Sequence, residues 1–231
     1  MKIKGFIRTT FIEYPGEIAS MIFLPGCNFR CSFCFNPELV LESDKVEDVD
    51  EKEVFDFLEK QRKWIDGVVI SGGEPTLHKD LPELIRKIKK MGLLVRIYTN
   101  GTNPEMLKKL LDEKLIDSIA MDIKAPLNEE SYERITCTKG LVEKVKKSVS
   151  LIMNSGLEYE FRTTAVPNVH HEKDVEEIAK HIKGANLFVL QKFLPEKALD
   201  AELRKIKTQT DEEMEKLAEI AREFVKNVKW R

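Results

Sequence analysis

The sequence predicts an α/β protein: a partial, laterally open (β/α)6 TIM-like barrel formed by a single domain over residues 1–231. Three observations support this fold class. Short apolar, β-branched segments alternate with amphipathic segments, as in parallel sheets covered by helices. No linker or low-complexity stretch divides the chain. The six repeats are too few for the eight that close a (β/α)8 barrel, so we expect the barrel to stay open.

The elements follow one another with recognisable boundaries. Asp80 is predicted to cap the helix after the second strand, and Gly92 to end it. Pro104 opens the next helix. The last helix begins at about Asp211, and its apolar face is predicted to continue to Val228. The six predicted strands are Ile18 to Leu24, Val68 to Ser71, Leu93 to Thr99, Ser118 to Ile123, Glu158 to Ala165 and Leu187 to Phe193.

Composition and charge exclude several classes of protein. The 38 Lys and Arg residues nearly balance the 40 Asp and Glu residues, giving a net charge of -2, which argues against a nucleic-acid partner. The first residues lack the pattern of a signal peptide, and no apolar run approaches the roughly 20 residues that span a bilayer. Four cysteines, three of them in one loop, do not resemble a secreted disulfide framework. We therefore expect a cytoplasmic protein without a membrane partner.

Polar or glycine-rich segments lie at the ends of all six predicted strands. In chain order they are GCNFRCSFC, SGGEPT, YTNGT, MDIK, EFRTT and LQKF. In parallel α/β folds the ligand site lies at the carboxyl ends of the strands. The sequence therefore predicts one shared pocket at these ends.

The first of these segments contains Cys27, Cys31 and Cys34. A structural zinc site needs four closed ligands, so zinc would require a fourth ligand from far away in the sequence. A [4Fe-4S] cluster can take three thiolates and leave one iron open to an exchangeable ligand. The spacing favours the cluster, with zinc and unliganded thiols as alternatives. The distant zinc candidates are Cys137, His170 and His171.

The spacing CxxxCxxC with Phe33 before the third cysteine resembles the signature of the radical S-adenosylmethionine (SAM) superfamily. GGEP, at Gly72 to Pro75, resembles the second motif of that family. Over nearly the whole chain, segments such as FIEYPGEIASMIFLPGCNFRCSFCFNPEL, YTNGTNPE and YEFRTTAVPN are similar to the anaerobic ribonucleoside-triphosphate reductase activating proteins, which are glycyl-radical-enzyme activases.

The resemblance implies an activity and its cofactors. Cys27, Cys31 and Cys34 would ligate three irons of a [4Fe-4S] cluster, and the fourth iron would chelate the amino and carboxylate groups of S-adenosylmethionine. Reductive cleavage would give methionine and a 5'-deoxyadenosyl radical, which abstracts hydrogen from a glycine of a partner enzyme. The other implied cofactor contacts are Phe33, Asn36, Gly72, Gly73, Glu74, Thr99, Asn100, Asp122, Lys124, Arg162 and Gln191.

Two basic residues are expected to bind the negatively charged groups of the ligands. Lys124 is expected to face the cofactor carboxylate, and Arg162 the carboxylate or the substrate backbone. An arginine that emerges from an apolar strand needs an anionic partner, because an unpaired buried charge is costly. The alternative for both residues is a structural ion pair, with Asp122 or Glu160.

The implied partner is a glycyl radical enzyme, specifically an anaerobic ribonucleotide reductase. A low-potential electron donor such as flavodoxin or ferredoxin is also implied. Two alternatives remain: a radical enzyme acting on a small molecule or modified nucleoside, and a non-catalytic iron-sulfur or zinc module. Tyr98 stands where many relatives have an acid, which places a monovalent-cation site beside the cofactor in doubt, and Phe35 provides no imidazole after the third cysteine.

Overall fold

A computed structural model describes all residues, Met1 to Arg231. Apolar, β-branched segments form the strands, because these side chains pack well on a pleated surface. The strands are β1 (Gly5–Thr10), β2 (Ala19–Leu24), β3 (Gly67–Gly72), β4 (Leu94–Thr99), β5 (Ser118–Asp122), β6 (Glu158–Ala165), β7 (Phe188–Lys192) and β8 (Val228–Trp230). The α-helices are α1 (Pro37–Leu41), α2 (Glu51–Gln61), α3 (Leu81–Lys90), α4 (Pro104–Asp112), α5 (Glu129–Thr136), α6 (Val142–Met153), α7 (Glu172–His181) and α8 (Asp211–Arg222).

The strands of the sheet follow in chain order, from β1 to β8, and the two end strands are not paired with each other. β1 is antiparallel to β2. The registers from β2 to β4 and from β6 to β8 are parallel. The predicted α/β class with an open parallel sheet is therefore confirmed.

The chain forms two compact units. The first comprises Met1–Cys27, Glu38–Thr99 and Glu105–Ile119, and the second comprises Asn28–Pro37, Asn100–Pro104 and Ala120–Arg231. The expectation of a single domain over residues 1–231 stays a prediction.

In the first unit, parallel pairing fixes the ends of β2 and β3. Leu24 is the register partner of Gly72, so the segments that leave these two strands start side by side. Helix α3 buries the predicted apolar stripe, from Leu81 to Ile88. Asp80 occupies the N-cap position of α3, but its side chain makes no capping hydrogen bond, and only its backbone carbonyl accepts from the first turn.

In the second unit, β6, β7 and β8 pair in parallel, and Arg162 is the register partner of Val189. Helix α8 begins with a capping box in which Thr210 and Glu213 satisfy each other's backbone N–H groups. The prediction that this helix extends to Val228 is wrong. The helix ends at Arg222, and Val228 begins β8.

The six predicted strands agree with β2 to β7 within one residue at each end. Two further strands, β1 and β8, were not predicted from the sequence. β1 has three exposed residues and an irregular register between Ile7 and Thr10, so it lacks the apolar run of an inner strand. β8 is only three residues long and continues the helical spacing of the apolar residues before it.

Candidate active site

The cysteine loop directly follows β2. Cys27 is the last residue of its segment of the first unit, whereas Cys31 and Cys34 belong to the second. Cys31 is buried, with 6% of its surface exposed, and Cys27 and Cys34 are half-buried. None of the cysteines forms a disulfide. The Cys34 N–H donates to the Cys31 carbonyl at 3.0 Å, so these two residues close a turn.

No group of three His, Cys, Asp or Glu side chains is arranged to hold one metal ion. Zinc requires its ligands to converge on a single atom at about 2.0–2.3 Å. Each thiolate of a cubane cluster binds a different iron, and a cluster therefore does not require the three sulfur atoms to meet at one point. The assignment of the three cysteines as cluster ligands stays a prediction.

The glycine turn after β3 lies against the end of β2 in the first unit. The Gly73 N–H donates to the Leu24 carbonyl and the Glu74 N–H to the Gly26 carbonyl, both at 2.8 Å. Gly72 has φ of +118°, which disfavours any residue with a side chain. A Cβ on Gly73 would lie 1.8 Å from the Gly26 carbonyl oxygen. Glycine is therefore required here for the close approach of two backbones.

The Glu74 side chain fixes this turn to the end of β4. Its Oε1 accepts hydrogen bonds from the Thr76 N–H at 3.0 Å, the Thr76 hydroxyl at 2.5 Å and the Thr99 hydroxyl at 2.7 Å. Only 1% of Glu74 is exposed. Two predicted contact residues, Glu74 and Thr99, are thus brought together and bind each other.

In the second unit, an amide network holds the start of the cysteine loop. The Asn100 Nδ2 donates to Asn28 Oδ1 at 2.9 Å, and Asn28 Nδ2 donates to the Thr102 hydroxyl at 2.9 Å. The Thr138 hydroxyl donates to the Asn28 carbonyl at 3.0 Å. Asn100 was predicted as a site residue and Asn28 was not, although its amide directly after Cys27 is a signal that could have identified it.

A carboxylate between two cations lies at the end of β5. Asp122 Oδ1 accepts from Arg162 Nε at 2.7 Å, and its Oδ2 accepts from Lys124 Nζ at 2.9 Å. Arg162 is 4% exposed, whereas the side chains of Asp122 and Lys124 are partly exposed. Three residues that were predicted to bind the cofactor therefore form one cluster. We call it the Asp122 cluster, and its members are Asp122, Lys124 and Arg162.

The charges in this cluster shift its pKa values. Burial disfavours the ionised form of Asp122, but the Arg162 and Lys124 charges outweigh it and lower its pKa to about 2. Burial also opposes the charge on Lys124. Asp122, with a further contribution from Cys31, outweighs that effect, and the pKa of Lys124 is raised. Both side chains are therefore ionised at neutral pH.

Arg162 also faces a second acid. Its Nη1 lies 3.9 Å from Glu160 Oε1, and the same oxygen is 3.3 Å from Arg231 Nη2. Arg162 thus forms both of the structural ion pairs that the sequence offered as alternatives, one with Asp122 and one with Glu160. Lys124 stays partly exposed in its ion pair with Asp122. Its ammonium is therefore still accessible to an anionic ligand.

Phe33 lies beside this cluster. Lys124 Nζ is 5.9 Å from the centre of the Phe33 ring, within range of a cation–π interaction. The ring of His170 meets Phe33 edge to face, with centroids 5.6 Å apart. His170 is 5% exposed, and burial lowers its pKa. Of the two adjacent histidines named as distant zinc candidates, His170 is therefore buried against Phe33, whereas His171 is exposed.

The remaining predicted residues lie outside the Asp122 cluster. Asn36 is half-buried and directly precedes α1. Gln191 lies in β7 as the register partner of Thr164, and its side chain is not part of the charge cluster.

In the first unit, Tyr98 Oη is 2.7 Å from both the carbonyl oxygen and Oε2 of Glu13, so the phenol that replaces an acid binds a glutamate instead. Cys137 is exposed and caps α5.

None of the helices is long and apolar enough to cross a membrane.

Residues 21–183 match the sequence profile of the radical SAM superfamily. Since this match covers more than half of the chain, the protein belongs to the radical SAM superfamily and is an enzyme of that class. Membership implies a [4Fe-4S] cluster and S-adenosylmethionine as cofactors.

Within the superfamily, the chain is similar to activating enzymes. It is 37% identical to a candidate glycyl-radical enzyme activating enzyme of Methanocaldococcus jannaschii, over 98% of this chain and 94% of that protein. It is 27% identical to the pyruvate formate-lyase-activating enzyme of Clostridium pasteurianum, over 93% of this chain and 94% of that protein. The resemblance stated from the motifs, to the superfamily and to its glycyl-radical-enzyme activases, is therefore confirmed.

Solved structures show the same fold at low identity. SuiB of Streptococcus suis, bound to its precursor peptide SuiA, matches with a TM-score of 0.66 and 17% identity over 90% of this chain. An archaeal TYW1 matches with a TM-score of 0.56 and 18% identity over 90% of this chain. The chain spans 47% of the SuiB chain and 72% of the TYW1 chain. These likenesses show the fold alone.

Proposed function

We propose that this enzyme activates a glycyl radical enzyme by abstracting a hydrogen atom from a glycine Cα of that partner. The observation that carries the proposal is the similarity to a glycyl-radical enzyme activating enzyme over 98% of this chain and 94% of that protein. The particular partner we propose is an anaerobic ribonucleoside-triphosphate reductase. Motif similarity to the activating proteins of that reductase supports this choice.

The residues present fit the implied cofactors. Cys27, Cys31 and Cys34 would hold a [4Fe-4S] cluster, since they are thiols outside any disulfide, and thiolates are the usual ligands of such clusters. Bound there, the cluster and S-adenosylmethionine would together supply the 5'-deoxyadenosyl radical. A Cβ would fill the space at Gly73, which fits a turn whose backbone must approach its neighbours closely.

The Asp122 cluster would bind the charged end of S-adenosylmethionine. Lys124 carries an ammonium that Asp122 keeps ionised, and Arg162 carries a second positive charge 2.7 Å from the same carboxylate. One anion shared by two cations leaves the cluster net positive, which favours a carboxylate ligand. Phe33 would lie beside the adenine, with Asn36 and Gln191 as further contacts.

The turn after β3 would bind the ammonium end of the cofactor. Backbone carbonyls at Gly72 and Gly73 provide acceptors without Cβ interference. Glu74 Oε1 holds the turn through two hydrogen bonds from Thr76, and a third hydrogen bond to the same oxygen holds Thr99. Asn100, fixed by Asn28, would contact the ribose or the adjoining backbone.

A low-potential donor such as flavodoxin or ferredoxin belongs to the same proposal, because the chain must receive one electron per cleavage. A cytoplasmic location is also part of the proposal, because a reducing compartment keeps the three thiols available as ligands.

Electron paramagnetic resonance tests the proposal. The anaerobically reconstituted and reduced protein should show a [4Fe-4S] signal that shifts when S-adenosylmethionine is added, and Cys31→Ala should abolish it. Cys137→Ala is the matched control, because Cys137 is exposed and caps a helix, so the signal should persist. Adding the reductase should then produce a glycyl radical spectrum. Cofactor cleavage without a glycyl radical would reject the reductase as the partner.

A small-molecule or nucleoside substrate is the second candidate. A GTP 3',8-cyclase of Methanococcus maripaludis, named as probable, is 34% identical over 63% of this chain and 49% of that protein. Deuterium transfer from labelled GTP into 5'-deoxyadenosine would favour this candidate, whereas transfer from a glycine-deuterated reductase would favour the activase.

A further inference from the structure

The buried imidazole of His170 joins three segments of the second unit. Its Nδ1 accepts from the Val166 N–H at 3.2 Å, so that nitrogen carries no proton. The proton is then on Nε2, which donates to the Lys124 carbonyl at 2.8 Å. The imidazole ring also meets Phe33 of the cysteine loop edge to face, with centroids 5.6 Å apart. The imidazole therefore links the turn after β6, the end of β5 and the cysteine loop.

Lys124 depends on side chains for its backbone hydrogen bonds. It lies two residues beyond Asp122, where β5 ends. Its N–H donates to the Tyr132 hydroxyl at 3.3 Å, and its carbonyl accepts from His170. Ile123 is still held against β6, since its N–H donates to the Arg162 carbonyl and its carbonyl accepts from the Thr163 hydroxyl, both at 2.8 Å, so the Lys124 carbonyl is the first backbone acceptor beyond these contacts. His170 therefore holds the Lys124 carbonyl, and Asp122 holds the ammonium at the other end of the same residue.

We propose that His170 is a positioning residue for the cofactor: it fixes the Lys124 backbone and the Phe33 ring, so that the ammonium of Lys124 faces the carboxylate of S-adenosylmethionine. The inference rests on the proposed function, because it assumes that Lys124 binds this carboxylate.

A role for His170 as the fourth ligand of a zinc site does not fit the same contacts. A metal-binding imidazole needs an available ring nitrogen. In His170, Nδ1 accepts a backbone hydrogen bond and Nε2 donates one. Metal binding would break one of these bonds, of which the bond from Val166 is buried and the bond to Lys124 is partly buried.

Two substitutions separate the hydrogen bond from the ring. His170→Gln retains an N–H that can reach the Lys124 carbonyl but lacks the aromatic ring. His170→Phe retains a ring against Phe33 but lacks the donor. His181→Gln is the matched control, since His181 is exposed on α7. The measured quantity is the dissociation constant of S-adenosylmethionine for the reconstituted, unreduced protein, by equilibrium dialysis. Thermal unfolding of the cofactor-free chains checks that each variant folds.

We expect His170→Phe to weaken S-adenosylmethionine binding about tenfold, His170→Gln to recover most of that loss, and His181→Gln to bind as the unchanged protein does. A double-mutant cycle with Lys124→Ala tests the route of the effect. If His170 acts through Lys124, then His170→Phe should add no further loss once Lys124 is removed.

Three results would overturn the inference. The first is unchanged binding in folded His170→Phe. The second is full additivity in the cycle. The third applies if His170→Phe does not fold: folded His170→Ala, which lacks both the ring and the donor, would then bind S-adenosylmethionine as the unchanged protein does. An unchanged protein that binds no S-adenosylmethionine would instead reject the proposed function, so the two failures are distinguishable.

Discussion

Asp122 connects the Lys124 ammonium and the Arg162 guanidinium, and its ionisation stabilises the folded chain. The pKa of its carboxyl is about 2, below the value of about 3.9 for an unfolded aspartate. Its contribution is therefore fully present above about pH 4 and is lost as the pH falls towards 2. Asp122→Asn should lower the free energy of unfolding by about 2 kcal/mol at pH 7, and by less at pH 3. Urea unfolding at both pH values measures this difference.

Asp56→Asn provides the control for Asp122. Asp56 is exposed and pairs with Lys52 one helical turn away, at 2.8 Å. Solvent screens such a pair, so its loss should change the free energy of unfolding little at either pH. An Asp122→Asn deficit that is the same at pH 3 as at pH 7 would contradict the ionic origin of the effect.

The residues of the site were predictable where a motif or a strand end marked them. Asp122, Lys124 and Arg162 were expected at neighbouring strand ends, and the structure brings them together. His170 was not predictable, because it and His171 are chemically identical neighbours. A backbone turn, in which the His170 N–H donates to the Val166 carbonyl at 2.9 Å, decides which of the two is buried.

Among the elements, the inner strands were predictable because both of their faces are covered, and this makes them apolar along their length. β8 was not predictable from the sequence, because Val228 continues the helical spacing of the apolar residues in α8. The helix nevertheless ends at Arg222, in a turn that the apolar spacing does not reveal. β1 was missed because an edge strand tolerates exposed polar residues such as Arg8 and Thr9. The local sequence therefore predicts the buried inner strands better than the strands at the edges of the sheet.

The junction of β2 and β3 gives a prediction at the same scale. Gly73→Ala would place a Cβ 1.8 Å from the Gly26 carbonyl oxygen, so one of the two backbones must move. We expect the free energy of unfolding to fall by about 3 kcal/mol, at the upper end for overpacked sites. Chemical denaturation of the cofactor-free chain measures the change.

Gly140→Ala is the control for this junction. Gly140 has φ of +71° and open space around its Cβ position, so alanine there costs only the left-handed conformation, about 1 kcal/mol. Equal stability of the two variants would show that the β2–β3 approach relaxes without cost, and that glycine is not required at position 73.

At the scale of the whole molecule, 38 basic and 40 acidic residues leave a net charge of -2. Long-range electrostatic steering is weak for so small a net charge. Recognition of a protein partner should therefore depend on local contacts, and its association rate should change little with salt.

If the enzyme activates the proposed reductase, cleavage of S-adenosylmethionine should wait for that partner to dock. A 5'-deoxyadenosyl radical formed without a glycine in reach would be quenched by reductant or solvent, and each such event would waste one cofactor and one electron. We expect the reduced enzyme alone to release 5'-deoxyadenosine slowly, and the reductase to raise that rate about tenfold or more, as in enzymes whose site is completed on binding. A reductase variant with alanine in place of the radical glycine separates the two steps. If docking is the trigger, this variant should accelerate cleavage without forming a glycyl radical, whereas equal rates with and without any reductase would exclude the coupling.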